Sequence, residues 1–330
     1  MADIRSESRV KGNELKVAST RIVVGLGEVL WDFLPTGRQL GGAPANFAYI
    51  STLLGNCGVV ASRIGDDALG EEAIAQLRER NLQCDYMQRD PEHPTGTVKV
   101  SLDSQGQPGF VISEAAAWDS LEWTPEWKTL AQRADAVCFG SLAQRSAESR
   151  ETIQHFLEHT APDTLRVFDV NLRQSYYSAE ILASSCKLAD VVKMSEDEFP
   201  TALKSLRLPQ ESIELAARQM IETFDLKLVC ITRGTAGSLL VTKNSSHSHP
   251  GVPCNVVDSV GAGDAFTAGL VHEYLREGKL RQAELDEQSL AQMNESGNRM
   301  GAWVASQPGA MPGGPGPYGG SSAIHRPKMS

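Results

Sequence analysis

The run Asp258-Ser259-Val260-Gly261-Ala262-Gly263-Asp264-Ala265-Phe266 sets two glycines and small residues between a pair of aspartates. Ala265, Phe266, Ala268, Leu270 and Val271 continue it as an apolar, helix-compatible stretch, so the glycines fall in a turn that feeds a helix start. Gly261 and Gly263 leave backbone N–H groups uncovered, and a helix N-terminus adds partial positive charge; together with Ala262 they form a cradle suited to an anion such as phosphate. Asp264 would repel that phosphate, but it is well suited to taking a proton from an alcohol beside it. A cradle with an adjacent base is what the transfer of a phosphoryl group to a hydroxyl requires. Glycine-rich turns also enter helices for structural reasons alone, and Asp is common at helix starts. The nine-residue combination is the specific signal.

A second patch, Gly41-Gly42-Ala43-Pro44-Ala45-Asn46, opens the apolar run Phe47-Ala48-Tyr49-Ile50. Gly42 lets a ligand approach the backbone closely, and Asn46 offers both a donor and an acceptor, as sugar hydroxyls demand. Arg173, at the end of Phe168-Asp169-Val170-Asn171-Leu172-Arg173, suits phosphate or substrate oxygens, or else a surface ion pair.

The run 258–266 resembles the second signature of the ribokinase-like, or PfkB, carbohydrate kinases, Asp-Thr-x-Gly-Ala-Gly-Asp, with Ser259 in place of the threonine. The patch 41–46 resembles the first signature, whose glycine and asparagine contact sugar. Asp32 in Trp31-Asp32-Phe33-Leu34-Pro35 matches the family's early acidic residue, which binds sugar hydroxyls. The resemblance spans roughly residues 22 to 312. Glu28-Val29-Leu30-Trp31-Asp32 and Ala116-Ala117-Trp118-Asp119 are similar to the fructokinase-type branch.

That resemblance implies roles for further residues. Residues 168–173 are similar to the family's Asp-x-Asn-x-Arg run, and 193–198 to its Asn-x-x-Glu element with Ser195 in the asparagine's place. It implies that Glu198 organises the waters of a Mg²⁺ ion, which prefers to keep water and few carboxylates. Thr232 and Gly234 resemble the turn beside the ATP phosphates and ribose, and Asn298 matches an adenine-side asparagine. Asp258 would hold K⁺ beside the cradle, as members often do. The implied activity is ATP-dependent phosphorylation of a sugar, fructose first. Ribose, another ketose, a sugar acid such as 2-keto-3-deoxygluconate, a nucleoside, and a silent sugar-binding member remain open.

The elements that must position these groups follow from short apolar runs alternating with helical patterns. Strands are expected at 22–27, 58–61, 136–139, 166–170, 190–193, 228–232 and 238–242. Helices are expected at 44–55, 70–80, 146–159, 178–186, 211–224 and 264–277. Repeated βαβ units of this kind give an α/β fold with a mostly parallel sheet. The resemblance makes it a ribokinase-like three-layer fold at 21–312, with a small β-sheet lid from 31–41 and 94–119 that in the family is often a homodimer contact. Residues 1–20 and 313–330 lack periodicity and read as mobile tails.

The 330 residues, 41% hydrophobic, suffice for one large core with a small appendage. A net charge of −10 disfavours a nucleic-acid or anionic-membrane surface. Six scattered cysteines without a Cys-x-x-Cys pair read as reduced core residues of a cytoplasmic protein. The first 20 residues are charged without an apolar run, so no signal peptide is expected, and no apolar stretch reaches the roughly 20 residues of a membrane span. There is no Gly-x-x-x-x-Gly-Lys loop, no third glycine after Gly25-Leu26-Gly27 for a dinucleotide fingerprint, and no Gly-x-Ser-x-Gly. His247 and His249 fall in what reads as a polar loop, not a zinc site.

Overall fold

The computed structural model describes residues 20–35, 37–102, 108–276, 285–314 and 316–317. The two expected mobile tails lie almost wholly outside the described residues. In chain order the first half runs β1 (Ile22–Leu26), β2 (Leu30–Leu34), β3 (Gly37–Gly41), α1 (Ala43–Leu53), β4 (Cys57–Gly65), α2 (Ala68–Glu79), β5 (Met87–Asp90), β6 (Gly96–Leu102), β7 (Pro108–Ile112), α3 (Pro125–Arg133) and β8 (Ala136–Gly140). The second half runs α4 (Ala147–Glu158), β9 (Leu165–Asp169), α5 (Ala179–Leu188), β10 (Val191–Ser195), α6 (Phe199–Leu206), α7 (Ile213–Phe224) and β11 (Leu228–Thr232). It ends with β12 (Ser238–Val241), β13 (Ser246–His249), α8 (Ala262–Arg276) and α9 (Glu287–Ala305).

Nine strands form the large sheet in the order β13-β12-β11-β10-β9-β8-β1-β4-β5. Pairing is parallel from β11 through to β5, and antiparallel only at the β11-β12-β13 edge. Both faces are apolar, because each central strand sends alternate side chains to opposite sides. Val24, Leu26, Val137, Phe139, Val192, Met194, Val229 and Ile231 face one core with α3 to α7. Val23, Ala136, Cys138, Val191, Leu228 and Cys230 face the other with α1, α2, α8 and α9. This is the expected three-layer arrangement. The helices start where the sequence offers caps: Asp67, Ser178, Ser212 and Asp286 each accept the backbone N–H three residues on.

The chain runs from β1 to β4 on one side, then returns to place β8 on the other side of β1. The crevice at the carboxyl ends of β1 and β8 is therefore a topological switch point, where open α/β sheets bind ligands. A separate four-stranded sheet, ordered β3-β2-β6-β7, joins the two segments expected to pair above this crevice.

Two expectations need revision. The stretch around His247 and His249 is not a loop but the edge strand β13, paired antiparallel with β12. Its polar alternation suits an edge whose outer side meets water. His249 pairs with Glu295 at 2.8 Å and His247 meets the Asn294 amide at 3.1 Å, both from α9. Helix α8 also begins earlier than expected, at Ala262, so Gly263 and Asp264 belong to its first turn.

Candidate active site

Gly42 sets the geometry of the crevice. Its φ is +110°, and a Cβ there would lie 2.4 Å from the Glu28 carbonyl oxygen. Only glycine allows the chain to leave β3 and enter α1 against the end of β1. One turn into α1, Asn46 is 5% exposed and donates Nδ2 to Asp264 Oδ2 at 2.8 Å. Its Oδ1 is buried without a partner. The contact brings together candidates that lie 218 positions apart in the chain.

Gly261, at φ +77°, turns the chain into α8. The N–H groups of Gly261 and Gly263 have no partner among the described residues, while the Ala262 N–H leans 3.3 Å toward the Ser259 carbonyl. Asp264 faces a small cavity lined by Ala43, Pro44, Cys138, Asp169 and Asn171. Burial raises its carboxyl to about 6 and Asp169 adds to the rise, while the Asn46 hydrogen bond, Lys193 and Arg173 oppose it. Asp32 stands on β2, in the small sheet, and burial raises it likewise to about 6 against the pull of Arg173. Arg173 is itself exposed and its field reaches Glu28, Asp32, Asp169 and Asp264.

The candidates on the nucleotide side cluster at the ends of β10 and β11, where Ser195 and Thr232 are register neighbours. Glu198 accepts the Leu172 N–H at 2.6 Å on one oxygen and the Ser195 N–H and hydroxyl at 2.7 and 2.9 Å on the other. A carboxylate has about four lone-pair sites, so this anchored group keeps capacity for one water. It fits the outer contact of a hydrated Mg²⁺ better than direct ligation. Gly234 is exposed at φ +54° just beyond β11. Asn298 lies on α9, 8% exposed, with its Nδ2 committed to Ser238 and Asn294. Asp258 accepts the Val260 N–H at 3.0 Å and the Gly309 N–H at 3.1 Å, stapling the segment before α8 to the one after α9.

Three charged groups here fell within quoted runs but were given no role from sequence. Glu28, between β1 and β2, is 2% exposed with an unpartnered Oε2. Burial lifts it to about 7, although its own N–H, Arg173 and the Ala43 N–H oppose the rise. Asp169 and Lys193 form an ion pair at 2.9 Å on adjacent parallel strands. A charge inside an apolar strand run, as in Val191-Val192-Lys193-Met194, was the available signal.

The arrangement is an acid, Asp264, held by Asn46 beside unpaired amides at the first turn of α8, near a topological switch point. The sequence pattern of the pfkB family carbohydrate kinases matches residues 34–315. The chain belongs to that family and is a sugar phosphotransferase. Fructokinase of Escherichia coli is 30% identical over 299 residues, covering 87% of this chain and 94% of that protein. Fructokinase from Vibrio cholerae O395, crystallised with fructose, ADP and calcium ion, superposes with a TM-score of 0.72 at 28% identity over 88% of this chain and 94% of the other. An uncharacterized sugar kinase from Pyrococcus horikoshii gives a TM-score of 0.71 at 27% identity, covering 88% and 93%.

Proposed function

We propose that the chain transfers the γ-phosphoryl group of ATP to a hydroxyl of fructose. The observation that carries this reading is Asp264, held by Asn46 at 2.8 Å in the first turn of α8 beside the open amides of Gly261 and Gly263. The similarity to fructokinases, one of them crystallised with fructose and ADP, favours that sugar among the ketoses.

In this reading Asp32, Gly42 and Asn46 hold the sugar hydroxyls, and Arg173 draws the substrate's oxygens into the crevice. Asp264 accepts the proton of the attacking hydroxyl as its oxygen bonds to the γ-phosphorus. The bond from that phosphorus to the β–γ bridging oxygen breaks, and ADP leaves. The N–H groups of Gly261 and Gly263 stabilise charge on the transferred group. Ser195, Thr232 and Gly234 border the nucleotide phosphates, and Asn298 supports the adenine side from within α9. Glu198 would hold a water of a Mg²⁺ ion, whose charge would offset that of the phosphates. Asp258 is the candidate K⁺ contact.

The small sheet acts as a lid that keeps water from accepting the phosphate. Phe110 and Val111 stand 58% and 52% exposed on its edge strand β7, which favours a second copy of the chain as the lid's partner. All six cysteines are free, which fits the reducing cytoplasm.

ADP release with MgATP across fructose, ribose, adenosine and 2-keto-3-deoxygluconate, in K⁺ and then in Na⁺, tests the assignment. Fructose should give the highest kcat/KM. Faster turnover of another acceptor would replace it, and sugar binding without ADP release from any acceptor would leave a binding protein.

A further inference from the structure

Two charged side chains sit where the strand pattern calls for apolar ones. Asp169 closes β9 and Lys193 lies inside β10, directly opposite each other in the parallel register. They are 4% and 7% exposed. The ammonium lies 2.9 and 3.1 Å from the two carboxylate oxygens. A buried ion pair is seldom more stabilising than apolar residues of the same volume, whereas breaking one is costly. Stability alone therefore gives weak grounds for its presence.

Its place in the fold gives stronger ones. A Cβ on Gly263 would stand 2.9 Å from Lys193 Nζ, so the ammonium presses against the first turn of α8 from behind. The Thr267 hydroxyl stands between Asp169 Oδ2 at 3.3 Å and the Gly263 carbonyl at 3.0 Å, linking the pair to the same turn. Gly263 thus lacks a side chain for a reason separate from phosphate access: the lysine fills that space.

We propose that Lys193, clamped by Asp169, is a positioning residue for phosphoryl transfer, placing a buried positive charge behind the anion cradle and holding the Asp264 carboxylate ready for the hydroxyl proton. This rests on Asp264 being the proton acceptor. A cation behind a helix N-terminus reinforces its attraction for phosphate and costs no reorganisation during the reaction.

Titratable groups from several elements surround Asp264. Glu28 approaches from between β1 and β2, the Cys138 thiol from β8, Asp169 from β9, Lys193 from β10 and Arg173 from the loop after β9; α1 contributes the uncharged Asn46. Glu198 acts on the pair itself. Burial would push the Lys193 ammonium down, but Asp169, Asp264 and Glu198 more than offset it, so it stays charged. The two partners act on Asp264 with opposite sign: Asp169 raises its carboxyl and Lys193 lowers it.

That opposition supplies the test. The pH profile of kcat is measured with MgATP and saturating fructose for the full chain carrying Lys193→Met, Asp169→Asn or Asp264→Asn. Lys193→Met removes the cation that lowers the Asp264 carboxyl while Asp169 still raises it, so the acid limb should rise by about one pH unit. Asp169→Asn leaves the lysine unopposed, so the limb should fall by a similar amount. A pair that only supports the fold would lower kcat evenly without moving the limb. Limbs unmoved in both variants, with Asp264→Asn inactive, would overturn the positioning role and leave the base assignment standing. Normal turnover in Asp264→Asn would overturn both. Should Lys193→Met not fold, the nearly isosteric Asp169→Asn decides: a downward limb supports the proposal, and an unmoved or upward one overturns it.

Discussion

Asn46 on α1 donates its amide to Asp264 on α8 at 2.8 Å, so the proposed sugar contact and the proposed base are one hydrogen-bonded unit. The bond occupies Oδ2 of Asp264 and lowers its carboxyl, which leaves Oδ1 for substrate. Asn46→Ala should cut kcat/KM by about 10- to 100-fold, within the range of a lost charge-assisted hydrogen bond of about 1.5–3 kcal/mol. The acid limb of its pH profile should also rise. Steady-state kinetics from pH 5 to 8 would expose the error if the limb fell.

Asp264→Asn preserves shape but cannot accept the proton. Turnover should fall by about 10²- to 10⁴-fold, while ATP and sugar binding measured calorimetrically stay near those of the unsubstituted chain.

Asp264 and Asp32 both sit near 6 because burial opposes their charged forms. In the proposed mechanism both act ionised, one to take a proton and the other to accept sugar hydroxyls. Below pH 6 kcat/KM should therefore drop, and it should level off above about 7. A profile flat from 5 to 8 would show that neither carboxylate limits the rate.

Glu28 also bears on stability. Its carboxyl is raised from 4.5 to about 7, so the folded protein holds a proton that the unfolded chain has released across that interval. The stabilisation is complete below about 4.5 and is lost as pH rises to about 7. Glu28→Gln keeps the shape without the proton, so it should flatten the decline of unfolding free energy between pH 5 and 7.5. Urea melts at both pH values report the slope, and an equal decline in both proteins would contradict it.

Gly42→Ala forces a Cβ to within 2.4 Å of a backbone oxygen at φ +110°. Thermal and urea unfolding should show a loss of about 1–3 kcal/mol. An unchanged melting temperature would mean that the β3–α1 junction yields more easily than its packing suggests.

The fold was largely legible because the central strands are short apolar runs and the helices between them carry their own caps. Parts of it were hidden. Helix α9 is polar in sequence, yet Asn294, Ser296 and Asn298 are buried, and Gly297 meets the Phe266 ring of α8. Close packing there replaces the apolar stripe that sequence reading relies on. Strand β13 escaped because an edge needs no hydrophobic alternation. In the site, glycines and aspartates at fixed spacing were readable, since their chemistry depends on local backbone. The Asp169–Lys193 pair was not, because only the sheet register joins the two, and Glu28 was not, because its burial comes from the packing of the fold around it.

The sheet order has a consequence for biosynthesis. Residues 28 to 46 emerge from the ribosome early, but Asp264 follows more than 200 positions later. With synthesis at about 5–20 residues per second, the amino-terminal half waits on the order of ten seconds or more for its missing carboxylate. During that interval the nascent polypeptide holds the first crevice wall without the proposed proton acceptor. Phosphoryl transfer thus becomes a late marker of folding, and fragments ending before α8 should lack it.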